Sequence, residues 1–537
     1  MLPFKICLLI AAFLLVKGCQ DKKPRAASDT FTMSLDSEPT TINPITSVDV
    51  SATAVHNYTL ETLLDSDPDT AELRAGMAER WEISADKKVF TFHLRPGMKW
   101  HDGHPVTAED VKFSYDEIFN PEVNAANRRP YFENIKSVEV VDPLTVRFTV
   151  KNDYFQNFDV AANMLLITPK HFYGDKNRRK EHNKVLVGSG PYKITSYEKG
   201  KRFVLEQNPD WWGRNVAPFA DTWHFKRVVI RFVTDRNVGI ETFKKGDLDL
   251  YPLTPEDFTK KAVGEDWGKK FHKVQTTNKA PKGFSFVAWN LKHPILADLK
   301  VRRALAMAYP RDMVMEKFNY NLSFHADGPV YNSSDYHSPN TRPIGFDLQA
   351  SLKLLREAGW ADSDGDGILD KNVGGKKTPL SLTILEPGED QMKYITVFKE
   401  EARKIGVDLQ IKAVEWNSFI KLIDERKFDA VRLAWGAGSV DIDQKQIWHT
   451  DSQKGGSNFI GYSNKMVDQL IDQARVEYDK PKRIALNHRI AELIAADAPY
   501  LFLFSPKFVF YAHQPRVVRP KDSFVYEIGY RAWTLSK

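Results

Sequence analysis

Ala78-Glu79-Arg80-Trp81-Glu82-Ile83-Ser84-Ala85-Asp86, then Phe90-Thr91-Phe92-His93-Leu94-Arg95-Pro96-Gly97-Met98-Lys99-Trp100-His101-Asp102-Gly103, then Pro105-Val106-Thr107-Ala108-Glu109-Asp110-Val111-Lys112-Phe113-Ser114, is the stretch on which the fold turns. Phe90, Phe92 and Leu94 alternate with other side chains, the pattern of a half-buried strand. Arg95-Pro96-Gly97 marks a turn. Thr107 supplies a side-chain oxygen for the free N–H groups of a helix starting near Ala108, and Glu109-Asp110 in its first turn suit the helix dipole. His101-Asp102-Gly103-His104 holds metal-binding side chains, but no third ligand follows at recognisable spacing, so a turn is the better reading. The block is scaffold rather than ligand site.

Working outward, strand-like stretches recur in the first half, at 31–35, 89–94, 137–141, 144–150 and 227–233. Helical patterns increase in the second half, near 299–308, 393–405, 416–425, 464–476 and 481–496, the last with Pro481 where a first-turn proline is tolerated. Residues 347–358 open on Asp347, carry a Leu348, Leu352 and Leu355 stripe and stop before Gly359. Two apolar runs, 284–291 and 500–510, bracket this half. They predict two lobes, the chain crossing to the second and returning, and such crossings can act as hinges. No internal repeat is visible.

The 537 residues suggest two to four compact units. A charged fraction of 27% and an apolar fraction of 42% exclude a disordered chain. The net charge of +6 is too small and too dispersed for a nucleic-acid binder. Cys7 and Cys19 are the only cysteines, which removes a Cys-ligated metal, a disulfide scaffold and a cysteine nucleophile from the body. Lys5 and the apolar run 6–16 form an export signal, too short to cross a bilayer. Val16-Lys17-Gly18-Cys19 resembles a bacterial lipoprotein signal, with Cys19 the residue to be lipidated; a plain secretory signal or an uncut anchor is the alternative. Residues 1–18 are then the signal and 19–30 a flexible tether, placing the protein in the periplasm or cell envelope on a lipid anchor.

The opening block, taken with further stretches, resembles the family 5 extracellular solute-binding proteins, the oligopeptide and dipeptide receptors of ABC importers. The other matches are Glu38-Pro39 through Asn43-Pro44, Gly188-Ser189-Gly190-Pro191-Tyr192, Asn208-Pro209-Asp210-Trp211-Trp212, Val301-Arg302-Arg303-Ala304-Leu305, Leu354-Leu355-Arg356-Glu357-Ala358-Gly359-Trp360, and Phe428-Asp429 leading to Trp435. The spacing from Trp448 to Tyr462 and the stretch 227–235 look closest to the branch handling longer peptides and microcin C. The resemblance implies an α/β, two-lobe periplasmic-binding-protein fold of type II, cluster C, with an extra subdomain in the first lobe. Lobe I would span 31–288, lobe II 289–504, and 505–537 would return to lobe I. It implies a monomeric, non-enzymatic receptor without a cofactor, binding a peptide or peptide-like ligand between the lobes and delivering it to ABC permease subunits.

In such receptors an aspartate three residues after a cleft tryptophan commonly holds the peptide's α-ammonium group. The tryptophan matches Trp435, but Gly438 stands in that register, with Asp441 and Asp443 as possible substitutes or plain surface charges. The same resemblance suggests Ser47 and Asp49 as ligand-bordering, Asn290 as ligand contact or hinge brace, Trp416 as a stacking surface, and Arg432 as partner to a ligand carboxylate or to Asp429. Asp362, Asp364, Asp366 and Asp370 with Gly367 have calcium-loop spacing, but Val373 stands where a bidentate Glu is needed, so a solvated turn is favoured over a structural calcium. Oligosaccharide, nickel or haem is the alternative ligand within the fold. A sensor role would use the same closed lobes. An exported hydrolase is disfavoured, since no Gly-x-Ser-x-Gly, His-Glu-x-x-His or Ser-x-x-Lys stands in a convincing setting.

Overall fold

A computed structural model describes residues 29–47, 49–125, 128–388, 391–436 and 438–536. The signal segment 1–18, Cys19 and nearly all of the tether lie outside the described residues. Three larger sheets organise the chain. The first has seven strands in the order His272–Thr276, Val509–His513, Leu250–Pro252, Thr30–Leu35, Arg227–Phe232, Arg202–Gln207 and Tyr192–Glu198. Its core is aromatic and aliphatic, with Phe31 stacked on Phe225 at 4.3 Å.

The opening sequence block builds a second, antiparallel sheet of Ala78–Ile83, Val89–Leu94, Thr145–Val150 and Ile135–Asp142. Phe90, Phe92 and Leu94 point inward, as their alternation predicts, and Val111 of helix Ala108–Phe119 joins the same core. The carboxylate of Asp110 accepts from the Thr107 backbone N–H at 2.9 Å, closing the helix start. This four-stranded unit is the extra subdomain of the first lobe.

The third sheet runs Asp408–Ala413, Ser381–Glu386, Ala430–Trp435, Phe284–Trp289 and Tyr500–Phe502. Its strand Phe284–Trp289 is buried at every position, which is why that stretch is continuously apolar. Helices pack around it, among them Leu348–Glu357, whose Asp347 cap accepts from the Ala350 N–H at 2.9 Å.

Two expectations need correction. The crossing to lobe II falls before Phe284, not after residue 288, because Phe284–Trp289 pairs with Ala430–Trp435 and Tyr500–Phe502. The run 500–510 is not one strand. Tyr500–Phe502 joins the lobe II sheet, Phe504–Pro506 pairs with Ser323–His325, and Val509–His513 pairs in the first-lobe sheet. Pro506 has no N–H to continue the ladder, so the chain changes sheet just after it. The return to lobe I therefore begins beyond Pro506 rather than at 505.

Close backbone approach and a pair of hydrogen bonds to a buried carboxylate explain two of the motifs in physical terms. A Cβ on Gly188 would lie 1.9 Å from the Thr59 carbonyl oxygen, so only glycine lets this loop lie against the end of helix Val50–Thr59. The paired indoles of Trp211 and Trp212 both donate to one oxygen of Glu61, each at 3.0 Å. Burial pushes the Glu61 carboxyl up to about 7 against the lowering effect of those indole hydrogen bonds.

The lobes touch through polar contacts. Tyr154 donates to Asp443 at 2.9 Å, Gln156 donates to the Asp441 carbonyl at 2.6 Å, and the Phe155 N–H donates to the Arg475 carbonyl at 2.9 Å. Arg475 and Arg483 lie over the rings of Tyr154 and Phe155, at 4.4 and 4.0 Å. Elsewhere Lys393 reaches Glu256 at 2.7 Å.

Two predictions follow from these contacts. Tyr154→Phe removes one hydrogen bond to a charged acceptor, about 1.5 kcal/mol or more, and shifts the ligand-free open–closed ratio roughly tenfold toward open; an unchanged distance distribution between lobe-specific labels would contradict it. For Glu61, the folded state holds a proton that the unfolded state has lost between about 4.5 and 7, so its contribution to stability falls as pH rises through that window. Glu61→Gln should flatten that part of the Tm–pH profile.

Candidate functional site

A cavity of about 1740 Å³ lies between the extra subdomain and lobe II. That exceeds the roughly 300–1,000 Å³ of ordinary small-molecule pockets. The first-lobe wall includes Tyr131, Tyr154, Phe158 and Asp159, and the facing wall is the loop from Trp435 through Ser457 with Arg475 and Lys480. Lys282 and Phe284 line it where the chain crosses between lobes.

Trp435 ends the strand Ala430–Trp435 and faces this space, its ring packed near Phe286 and Phe459 at 5.9 and 6.0 Å. The crossing segment fits against it only because residue 283 is glycine: a Cβ there would sit 1.9 Å from the Trp435 carbonyl oxygen. Gly438 also lines the cavity, and a Cβ at that position would meet no atom within 4 Å. The register that lacks the carboxylate is thus open space.

Asp441 and Asp443 line the cavity as well, but their charges are already matched. Asp441 accepts from Tyr336 at 2.8 Å and lies 3.2 Å from Lys480 and 3.6 Å from Arg483. Asp443 accepts from Tyr154 and pairs with Arg475 at 3.2 Å. Burial and Asp443 together hold the Tyr154 hydroxyl well above the ordinary tyrosine range.

Asp159 differs from both. It lines the first-lobe wall, and among the described residues its carboxylate feels burial and nearby charges but no hydrogen-bond donor. Burial, then the nearby Asp441, pushes its carboxyl up to about 6, with Arg483 opposing. Lys282 is the complementary case: its ammonium donates to the Asn278 carbonyl at 2.6 Å, the Asn278 side chain at 3.0 Å and the Ala280 carbonyl at 3.2 Å, all neutral acceptors. Burial lowers it to about 8. Neither residue sits in a motif or at a diagnostic spacing, so periodicity and pattern do not reveal them.

Five expected site residues lie outside the cavity lining. Arg432 is three positions before Trp435 on one strand and so projects from the opposite face. It donates to Gln391 at 2.7 Å and lies 3.8 Å from Glu386; Asp429 instead accepts from the Thr383 N–H. Asn290 follows the far end of Phe284–Trp289, roughly 20 Å of strand from the cavity end. Its amide braces the Phe428 carbonyl at 2.8 Å. Asp49 caps helix Val50–Thr59, accepting from Ala52 N–H at 2.6 Å and the Thr40 hydroxyl at 3.0 Å. Ser47 is buried beside it, its carbonyl accepting from Arg128 at 3.4 Å. Trp416 opens helix Trp416–Asp424, half exposed and stacked on Phe419.

The acidic loop is closed by its own backbone. Asp362 accepts from the N–H groups of Gly365 and Gly367, and Lys377 neutralises Asp364 at 2.7 Å. Oxygens of Asp362, Asp364 and Asp366 come within 4.8 Å of one another, but Asp370 turns to Ser363 at 2.7 Å and does not join them.

Residues 72–457 match the family model described as bacterial extracellular solute-binding proteins, family 5 Middle. The oligopeptide-binding protein AppA of Bacillus subtilis (strain 168) is 27% identical over 496 residues, spanning 90% of this chain and 87% of the relative. The structure of AppA in complex with a nonapeptide superposes with a TM-score of 0.82 at 25% identity, over 95% of this chain and 99% of that one. NikZ of Campylobacter jejuni, solved with Ni(L-His), superposes at 0.78 with 24% identity, over 94% and 99%, and speaks for the fold alone. With a two-lobe α/β architecture, a large cavity between the lobes and a family match spanning most of its length, this chain belongs to the bacterial extracellular solute-binding proteins of family 5.

Proposed function

We propose that the protein is an extracytoplasmic receptor that captures peptides or peptide-like solutes between its lobes and hands them to an ABC permease. The observation that carries this reading is the cavity itself, roomy enough for an extended peptide, walled by both lobes and lined by apolar, neutral polar and charged side chains together. Such walls suit an extended main chain, with affinity from backbone hydrogen bonds and tolerance from loosely filled side-chain space. Likeness to an oligopeptide-binding protein over nearly the whole chain supports it. Ligand bridging both walls shifts the open–closed equilibrium by its extra affinity for the closed state, and no covalent step is needed. Lipidation at Cys19 would keep the monomeric receptor beside its permease; no helix among the described residues is long and apolar enough to cross a membrane.

With Gly438 in the amine-binding register and Asp441 and Asp443 already paired, the carboxylate we assign to a ligand ammonium is Asp159, which is half-buried on the first-lobe wall, whereas Glu72 and Glu133 of the same lining are exposed. The amine would thus be held by the first lobe, and the uncompensated Lys282 charge favours an anionic group near the crossing.

Native mass spectrometry of residues 20–537, followed by release of whatever co-purifies, should give a ladder of short peptide masses. A series spaced by sugar units, or one non-peptide mass, would overturn the peptide reading. Asp159→Asn should weaken binding of a free-amine peptide about ten- to a hundredfold, equivalent to roughly 1.5–3 kcal/mol, while an N-acetylated peptide is unaffected. Because an ammonium selects the ionised carboxylate, wild-type affinity should rise with pH through about 6 and level off above it. Calorimetry on the Asn variant should show a flat profile over that window; a retained pH dependence would assign the titration to another group.

A further inference from the structure

The surface of the extra subdomain carries an arrangement independent of the peptide cavity. Asp102, His104 and His171 bring one donor atom each to within 4.8 Å of one another. The two oxygens of the Asp102 carboxylate reach one ring each, Oδ1 lying 3.2 Å from His104 Nδ1 and Oδ2 2.7 Å from His171 Nε2. The imidazoles are 4.0 Å apart, centroid to centroid, and tilted by 30°. All three side chains are exposed, and none lines the cavity.

We infer that Asp102, His104 and His171 form a binding site for a divalent transition metal of the zinc, nickel or copper class. Ligand atoms around a tetrahedral ion with bonds near 2.0–2.2 Å stand about 3.3 Å apart, so small side-chain rotations close this triad on an ion. Two imidazoles and one carboxylate select borderline metals over calcium or magnesium, which prefer all-oxygen sites. The exposed side leaves the remaining coordination positions to water. The third ligand is not legible in the sequence because His171 is separated from its partners by the helix Ala108–Phe119 and the two strands Ile135–Asp142 and Thr145–Val150.

The frame around the triad is built to hold it. The turn carrying Asp102 and His104 is closed by the Trp100 N–H on the His104 carbonyl at 2.8 Å and the Gly103 N–H on the Trp100 carbonyl at 2.9 Å, with Gly103 at φ +90°. His101, the other imidazole of the motif, faces inward: its Nδ1 accepts from the Gly188 N–H and its Nε2 lies 3.1 Å from the Gly190 carbonyl. Both of its nitrogens are committed, which leaves His104 as the motif's free ligand. The helix carrying His171 is tied to the same unit, since the Lys170 N–H donates to Asp110 at 2.8 Å and Lys170 Nζ pairs with Glu109. A bound ion would clip the turn to that helix and stabilise the subdomain through mass action.

Calorimetric titration of the tag-free protein with Zn²⁺, and separately with Ni²⁺, tests this. One saturable equivalent at micromolar affinity is expected, together with a Tm that rises with metal concentration. His104→Gln and His171→Gln should each weaken it at least tenfold, with circular dichroism and peptide binding unchanged. Failure to saturate below millimolar metal would overturn the site. Undiminished binding in the His104→Gln/His171→Gln double variant would overturn it too, by placing the ion elsewhere.

Discussion

The antiparallel pairing of Phe284–Trp289 with Ala430–Trp435 is the constraint on which the rest of the molecule depends. The first of these strands is where the chain enters the second lobe, and the second ends at the cavity wall. Phe284 faces Trp435 in the register, so the crossing and the binding loop meet at one point. Gly283 makes that meeting possible, because any side chain there would collide with the Trp435 carbonyl. A rotation at the crossing is therefore felt directly by the loop that faces the ligand space, which is the coupling a two-lobe receptor needs.

Charge is distributed across the cavity by the same logic of proximity. Asp441 and Asp443 sit among Lys480, Arg483 and Arg475 and are held within the structure, Asp443 as part of the inter-lobe contact. Buried charge without a partner is costly, so such groups are normally found paired. Asp159 and Lys282, both in the cavity lining, depart from that pattern among the described residues, one with a raised and the other with a lowered pKa, both chiefly through burial. Paired and unmatched charges thus coexist in one cavity, distinguished by whether the described residues supply the counter-charge.

How legible the molecule is from sequence depends on the range of the interaction concerned. The strand at 89–94, the capped helix after Thr107 and the helix opened by Asp347 follow from alternation and capping, which operate within a few residues. Trp435 and Gly438 were found by motif register, and both line the cavity. Arg432 is near Trp435 in sequence but an odd number of positions away on the same strand, so its side chain turns to the other face. Asp49 and Asn290 carry groups able to meet a ligand, yet a helix cap and a backbone brace engage them first. The run 500–510 reads as one apolar strand because pattern reports burial and not which sheet provides it.

By itself the sequence determined the α/β character, the elements of the extra subdomain, the two apolar crossings and the family, since each is written in local period, capping and contiguous motif. Only the tertiary structure decided which carboxylates are already paired, that Asp159 lines the ligand space with no donor among the described residues, where the chain changes lobe, and that His171 joins Asp102 and His104. The physical reason is common to all four. Availability of a charge or a ligand atom is a property of its neighbours in space, and those neighbours come from segments separated by tens to hundreds of residues along the chain.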